Sequence, residues 1–160
     1  MRRLQAILTG TLIVGTLDLL DAMIYFGIRN GATPVRIGQS IAAGWIGRDA
    51  FRGGFPAAML GFATHYFIAF AIVTVYLMAS RRLEILVRRP WLCGALYGIG
   101  VYFFMNRVVI PLSAIGGPQP FVLGPVVNGL FIHVFGIGIP SALVAAATER
   151  GATARVTAPD

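Results

Sequence analysis

Four apolar runs constrain this chain more than any other feature. They fall at 4–27, 56–79, 91–112 and 122–147. Each is long enough to cross a hydrocarbon layer of about 30 Å, which takes about 20 helical residues. Backbone N–H and C=O groups cannot stay unpaired in hydrocarbon, so the runs are predicted to be helices. The strict alternation of a barrel strand is absent. Composition agrees: 12% of the 160 residues are charged, against about 25% in a soluble domain. The sequence predicts an all-α fold, a polytopic integral membrane protein built as an antiparallel four-transmembrane-helix bundle. One domain covers 1–150, and the tail "GATARVTAPD" at 151–160 is expected to be disordered.

The first connector carries its own signal. In "TPVRIGQSIAAGWIGRDAF", Thr33 is a candidate N-cap and Pro34 suits the first helical position, which predicts a helix over about 34–47. On a helical wheel Ile37, Ile41, Ala42 and Trp45 share one side, while Arg36, Gln39, Ser40 and Gly47 share the other. Such an amphipathic helix, with Arg36, Trp45 and Arg48, belongs at a membrane surface, either as a surface-lying connector or as a lid over a site in the bundle. The connector "SRRLEILVRRP" is short and makes the second and third helices neighbours. Pro111 is expected to end the third helix, and Pro140, with Gly136 and Gly138, to kink the fourth.

All thirteen basic residues are arginine, and the net charge is +7. An all-arginine chain suits a GC-rich bacterial genome. Most of the arginines flank apolar runs, where they orient a membrane protein and do not mark a nucleic-acid surface. Arg2, Arg3, Arg81, Arg82, Arg88, Arg89, Arg150 and Arg155 fall on one side; Arg29, Arg36, Arg48 and Arg52 fall on the other. The excess places both termini in the cytoplasm and the first-loop helix on the outer face of a bacterial inner membrane. The single cysteine, Cys93, has no partner for an internal disulfide. The opening "MRRLQAILTGTLIVG" resembles the start of a signal peptide without a small-residue cleavage site, and is read as a retained first helix.

Polar residues interrupt every apolar run: Asp18 and Asp21 in the first, His65 in the second, Asn106 and Arg107 in the third, Asn128 and His133 in the fourth. At about 1.5 Å per residue all of them come out between mid-membrane and the outer face. Asp18 and Asp21 are three apart and should share one helical face turned into the bundle, where Arg107 would neutralise one carboxylate. Two carboxylates against one guanidinium leave the other to be protonated, hydrated, or matched by histidine or a bound cation. The layer is open to four readings. It is a closed network that fixes helix packing, a proton or ion path, a metal site of Asp18, Asp21, His65 and His133, or a haem b site. The haem reading rests on His65 between Gly61 and Ala69, and His133 between Gly129 and Gly136, where small neighbours would leave room for a flat macrocycle. No catalytic motif is present, and no enzyme activity is expected.

The runs "GFATHYFIAFAIVTVYLMASRR", "RRPWLCGALYGIGVYFFMNRVVIPLSA" and "NGLFIHVFGIGIPSAL" resemble small bacterial inner-membrane proteins of the YagU-like group. The likeness rests on His65, on Pro111 and Leu112, and on His133, and covers about 55–145. It implies a four-helix inner-membrane protein and carries no activity or catalytic residues. The leading expectation is an accessory or structural subunit, in contact with lipid and with other membrane subunits or itself. The rivals are a proton- or ion-coupled carrier or channel using Asp18 and Asp21, and a bis-His haem protein using His65 and His133.

Overall fold

The computed structural model describes residues 3–117 and 121–156, with side chains described through 150. Helices make up its regular structure, and no strand occurs among the described residues. Four of them are long and apolar enough to cross a membrane. The first is α1 (Arg3–Asn30). After it come α2 (Pro34–Ile46) and a 3-10 turn, Gly47–Arg52. The second long helix is α3 (Gly54–Ser80), followed by the single turn α4 (Ile85–Arg88). The third runs from α5 (Pro90–Phe104) through a π-helical stretch, Met105–Val109, into α6 (Ile110–Leu112). The fourth runs from α7 (Leu123–Ile132) through a second π stretch, His133–Gly138, into α8 (Ile139–Val156).

The first three predicted runs sit inside these helices, within about three residues of each end, and the fourth starts one residue early. The last differs most. Hydropathy ends the fourth run at 147 and predicts disorder over 151–160, but α8 continues through Val156. Residues 157–160 lie outside the described ones. The two π stretches have a common cause. Proline lacks an N–H, and its ring crowds the carbonyl four residues back. Pro111 would press on residue 107 and Pro140 on Gly136, and in both cases the helix has widened just before the proline. Pro111 therefore lies within the third long helix, one residue before its end.

Small residues make the interior. Ala6, Ala58, Ala142 and Ala146 are fully buried, while Leu4, Phe67, Leu96 and Phe131 are more than half exposed. Glycine sets the closest approaches. A Cβ on Gly98 would run into the backbone carbonyl of His133, and one on Gly138 into that of Gly94. Gly94-x-x-x-Gly98 is thus an internal contact between the third and fourth long helices. A core of Val14, Val73, Tyr76, Leu77 and Ile137 packs next to this seam. Within it the Tyr76 and Tyr97 rings meet edge to face at 5.0 Å. The Tyr76 hydroxyl donates to the Leu86 carbonyl at 3.2 Å, and the Tyr97 hydroxyl to that of Ile72 at 2.8 Å.

The helix α2 starts as its caps predict. The Thr33 hydroxyl accepts from the Arg36 N–H at 3.2 Å, and Pro34 takes the first turn. Its packing differs from the wheel. Gln39, expected on the polar side, is buried and its amide donates to the Gly54 carbonyl at 3.1 Å. The carbonyl it meets is at the start of α3, where Gly54 has a φ of +58°. A Cβ on Gly61 of α3 would run into the Gly38 carbonyl, so α2 lies backbone to backbone on α3. The Ala114 N–H bonds the Gly44 carbonyl at 2.8 Å and ties the far end of α2 to the loop after α6. Trp45 is 64% exposed while its indole N–H donates to Thr64 at 2.9 Å. Arg36 lies 3.9 Å over the Phe51 ring, and Arg48 is exposed.

Candidate ligand cavity

A cavity of about 330 Å³ opens where the π stretches loosen the third and fourth long helices. Its walls include Asp18 of α1, His65 of α3, Asn106 of the first π stretch and His133 of the second. Each long helix therefore delivers one polar side chain to one space. Helix α2 supplies a further wall through Ile37, Ser40 and Ile41, so it covers the site rather than lying clear of it. Ser40 stays exposed, as the polar side of the wheel expects, and reaches the cavity from its rim. The remaining lining is apolar, with Phe26, Ile68, Ile72 and Ile137 among it.

The seven predicted polar residues do not form one layer. Asp21 faces elsewhere, accepting from the Asn128 amide at 2.7 Å. That pair belongs to a second, smaller pocket with Tyr25 and Arg29, in which the Arg29 guanidinium donates to the Tyr25 hydroxyl at 3.4 Å. Arg107 is exposed, and among the described residues no ion pair joins it to Asp18 or Asp21. A π turn adds a residue and rotates the remainder of the helix away from a 3.6-residue wheel, so the face assigned to Arg107 from regular spacing is not the face it takes.

With Arg107 outside, Asp18 has a different neighbour. Its carboxylate lies 3.9 Å from His65 Nδ1 and makes no hydrogen bond among the described residues. The other ring nitrogen of His65, Nε2, is 2.8 Å from the Gly15 carbonyl. A carbonyl only accepts, so Nε2 carries the proton, and in the neutral ring Nδ1 is a bare lone pair. A lone pair facing a carboxylate is repulsive. One proton, on either group, or a cation relieves it. His133 is held in the complementary way: its Nδ1 is 2.9 Å from the Gly129 carbonyl, which leaves Nε2 without a proton when the ring is neutral. Its ring also meets Tyr102 edge to face at 5.4 Å.

No family model matches the chain, and neither a curated protein nor a solved structure does. The chemistry therefore has to be read from the cavity itself. Among the described residues no group of three or more His, Cys, Asp or Glu is placed to hold a metal ion, and Asp21, one of the four expected ligands, is engaged with Asn128. The slots expected for haem are filled. A Cβ on Gly129 would sit 2.6 Å from the Tyr102 ring, and the Gly136 position is closed by the Ile132 and Leu17 side chains. The Gly61 position is closed by Gly38 of α2. The small residues beside the two histidines serve helix contact.

Proposed function

We propose that the chain is an integral membrane protein of a bacterial inner membrane, with its four long helices crossing in alternating directions. The inverted packing supports this: alanine and glycine are inside, leucine and phenylalanine outside. Water would oppose such a surface, and lipid accepts it. The arginine distribution supports cytoplasmic termini and an outward position for α2. Within this frame the protein is a proton- or cation-coupled carrier or channel.

The observation that carries the functional reading is the state of Asp18. A purely structural network satisfies its carboxylates, since an unpaired buried charge is costly. Asp18 instead faces a cavity shared with His65 and His133, and its carboxylate makes no hydrogen bond among the described residues, the His65 Nδ1 lying 3.9 Å away. That arrangement suits a group that takes up and gives back a cation. The test is proton flux in liposomes carrying the purified protein under an imposed pH gradient. Wild type is expected to conduct, and Asp18→Asn to lose flux while accumulating normally in the membrane. Flux that is unchanged in Asp18→Asn contradicts the reading. A variant that fails to accumulate, in a protein without wild-type flux, returns it to the accessory-subunit role.

A further inference from the structure

The polar side chains of the cavity wall share a property that none of them shows alone. All but Asp18, whose carboxylate has no donor, spend one on a backbone carbonyl. His65 Nε2–H goes to Gly15, His133 Nδ1–H to Gly129, the Ser40 hydroxyl to Ile37 at 2.7 Å, and the Asn106 amide to Tyr102 at 2.9 Å. What remains is almost all acceptor: the Asp18 carboxylate, two imidazole lone pairs, the Ser40 oxygen and the Asn106 carbonyl. The second N–H of Asn106 is the one donor left over among these side chains.

An acceptor-rich wall selects a ligand rich in donors and positive in charge. The rest of the lining decides between an inorganic and an organic cation. A bare metal ion or sodium is held by oxygens on most sides, at distances near 2.0–2.6 Å. Here most of the wall is aliphatic or aromatic, and the volume of about 330 Å³ lies at the small end of pockets that take organic ligands. We propose that the cavity binds a small primary alkylammonium ion, its –NH₃⁺ directed at Asp18 and its hydrocarbon body against Phe26, Ile68 and Ile72. This rests on the cation-coupled reading above and names its substrate class.

The proposal fixes a stoichiometry. The ammonium does for the Asp18–His65 pair what a proton on either group would do, so where the pair holds a proton one cation enters as one proton leaves, and charge is conserved. The groups facing Asp18 across the cavity are His65 from α3 and His133 from the second π stretch. Asp21 is the nearest charge on its own helix, while α2 and the third long helix present Ser40 and Asn106, which do not titrate.

The experiment is calorimetric titration of the purified full chain in detergent with cyclohexylammonium, tetraethylammonium and cyclohexanol, each repeated in buffers of different ionisation enthalpy. Cyclohexylammonium is expected to bind saturably, with release of about one proton. Tetraethylammonium has the charge without N–H donors, and cyclohexanol the body without the charge. Both are expected to bind roughly tenfold more weakly or worse, the worth of one charge-assisted hydrogen bond. Asp18→Asn should abolish binding, and Asp18→Glu should restore part of it. Equal binding of all three probes, or no saturable binding of cyclohexylammonium to folded wild type, overturns the proposal. If that happens while the liposome proton flux and its dependence on Asp18 persist, only the amine is lost; if the flux is absent too, the functional reading falls with it.

Discussion

Asp18 and Asp21 lie less than one turn apart on α1 and have opposite situations. Asp21 is tied to Asn128 at 2.7 Å. Asp18 faces a cavity and a histidine lone pair at 3.9 Å. The same division runs through the molecule. Along the Gly94–Gly98–Gly138 seam and the Tyr76–Tyr97 core, helices touch through backbone and small side chains, and the tyrosine hydroxyls there have partners. Around Met105–Val109 and His133–Gly138 the helices widen ahead of a proline, and the polar groups that wall the opened space are mostly acceptors. Polar residues in the tight region hold the fold together. Those in the loosened region are held in place by the backbone and leave their chemistry facing inward.

The largest way to break this division is at the seam. Gly98→Ala places a methyl against the His133 carbonyl, where backbone and not a pliable side chain must yield. It is expected to cost about 3 kcal/mol or more, read as a shift in the denaturant midpoint in mixed micelles. Asn128→Ala strips Asp21 of its donor and should cost about 2 kcal/mol, in the range for hydrogen bonds to charged groups. Tyr97→Phe removes only the bond to Ile72 and should cost about 1 kcal/mol. Arg107→Gln sharpens the contrast from the other side: the guanidinium is exposed and pairs with neither aspartate, so stability should stay within about 0.5 kcal/mol of wild type. A large loss there, in the same micelle unfolding assay, would put Arg107 back in the bundle.

Hydropathy and length make the long helices legible in the sequence, because an apolar run long enough to cross hydrocarbon has to pair its backbone within itself. Thr33 and Pro34 likewise mark the start of α2 by local geometry alone. The convergence of Asp18, His65, Asn106 and His133 comes from counting rise per residue, a rule that survives small irregularities. Facing does not survive them. Arg107 is misplaced by a wheel that assumes unbroken α-helix, and Gln39 by a wheel that ignores the carbonyl waiting at Gly54. Asp21 is misplaced because two residues three apart still differ in direction enough to reach different neighbours. Glycines beside His65 and His133 read equally as room for a cofactor or as helix contacts, and only the neighbouring helix decides which.

The central claim is that Asp18 serves a site and not the packing. The direct measurement is the unfolding free energy of Asp18→Asn beside Asp21→Asn in the same micelles. The account predicts that Asp18→Asn is as stable as wild type or slightly more so, because the Asp18 carboxyl makes no hydrogen bond among the described residues, while Asp21→Asn is destabilised. A loss of about 3–5 kcal/mol in Asp18→Asn, the size seen when one side of a buried ion pair is removed, would contradict it and make the cavity wall part of the scaffold.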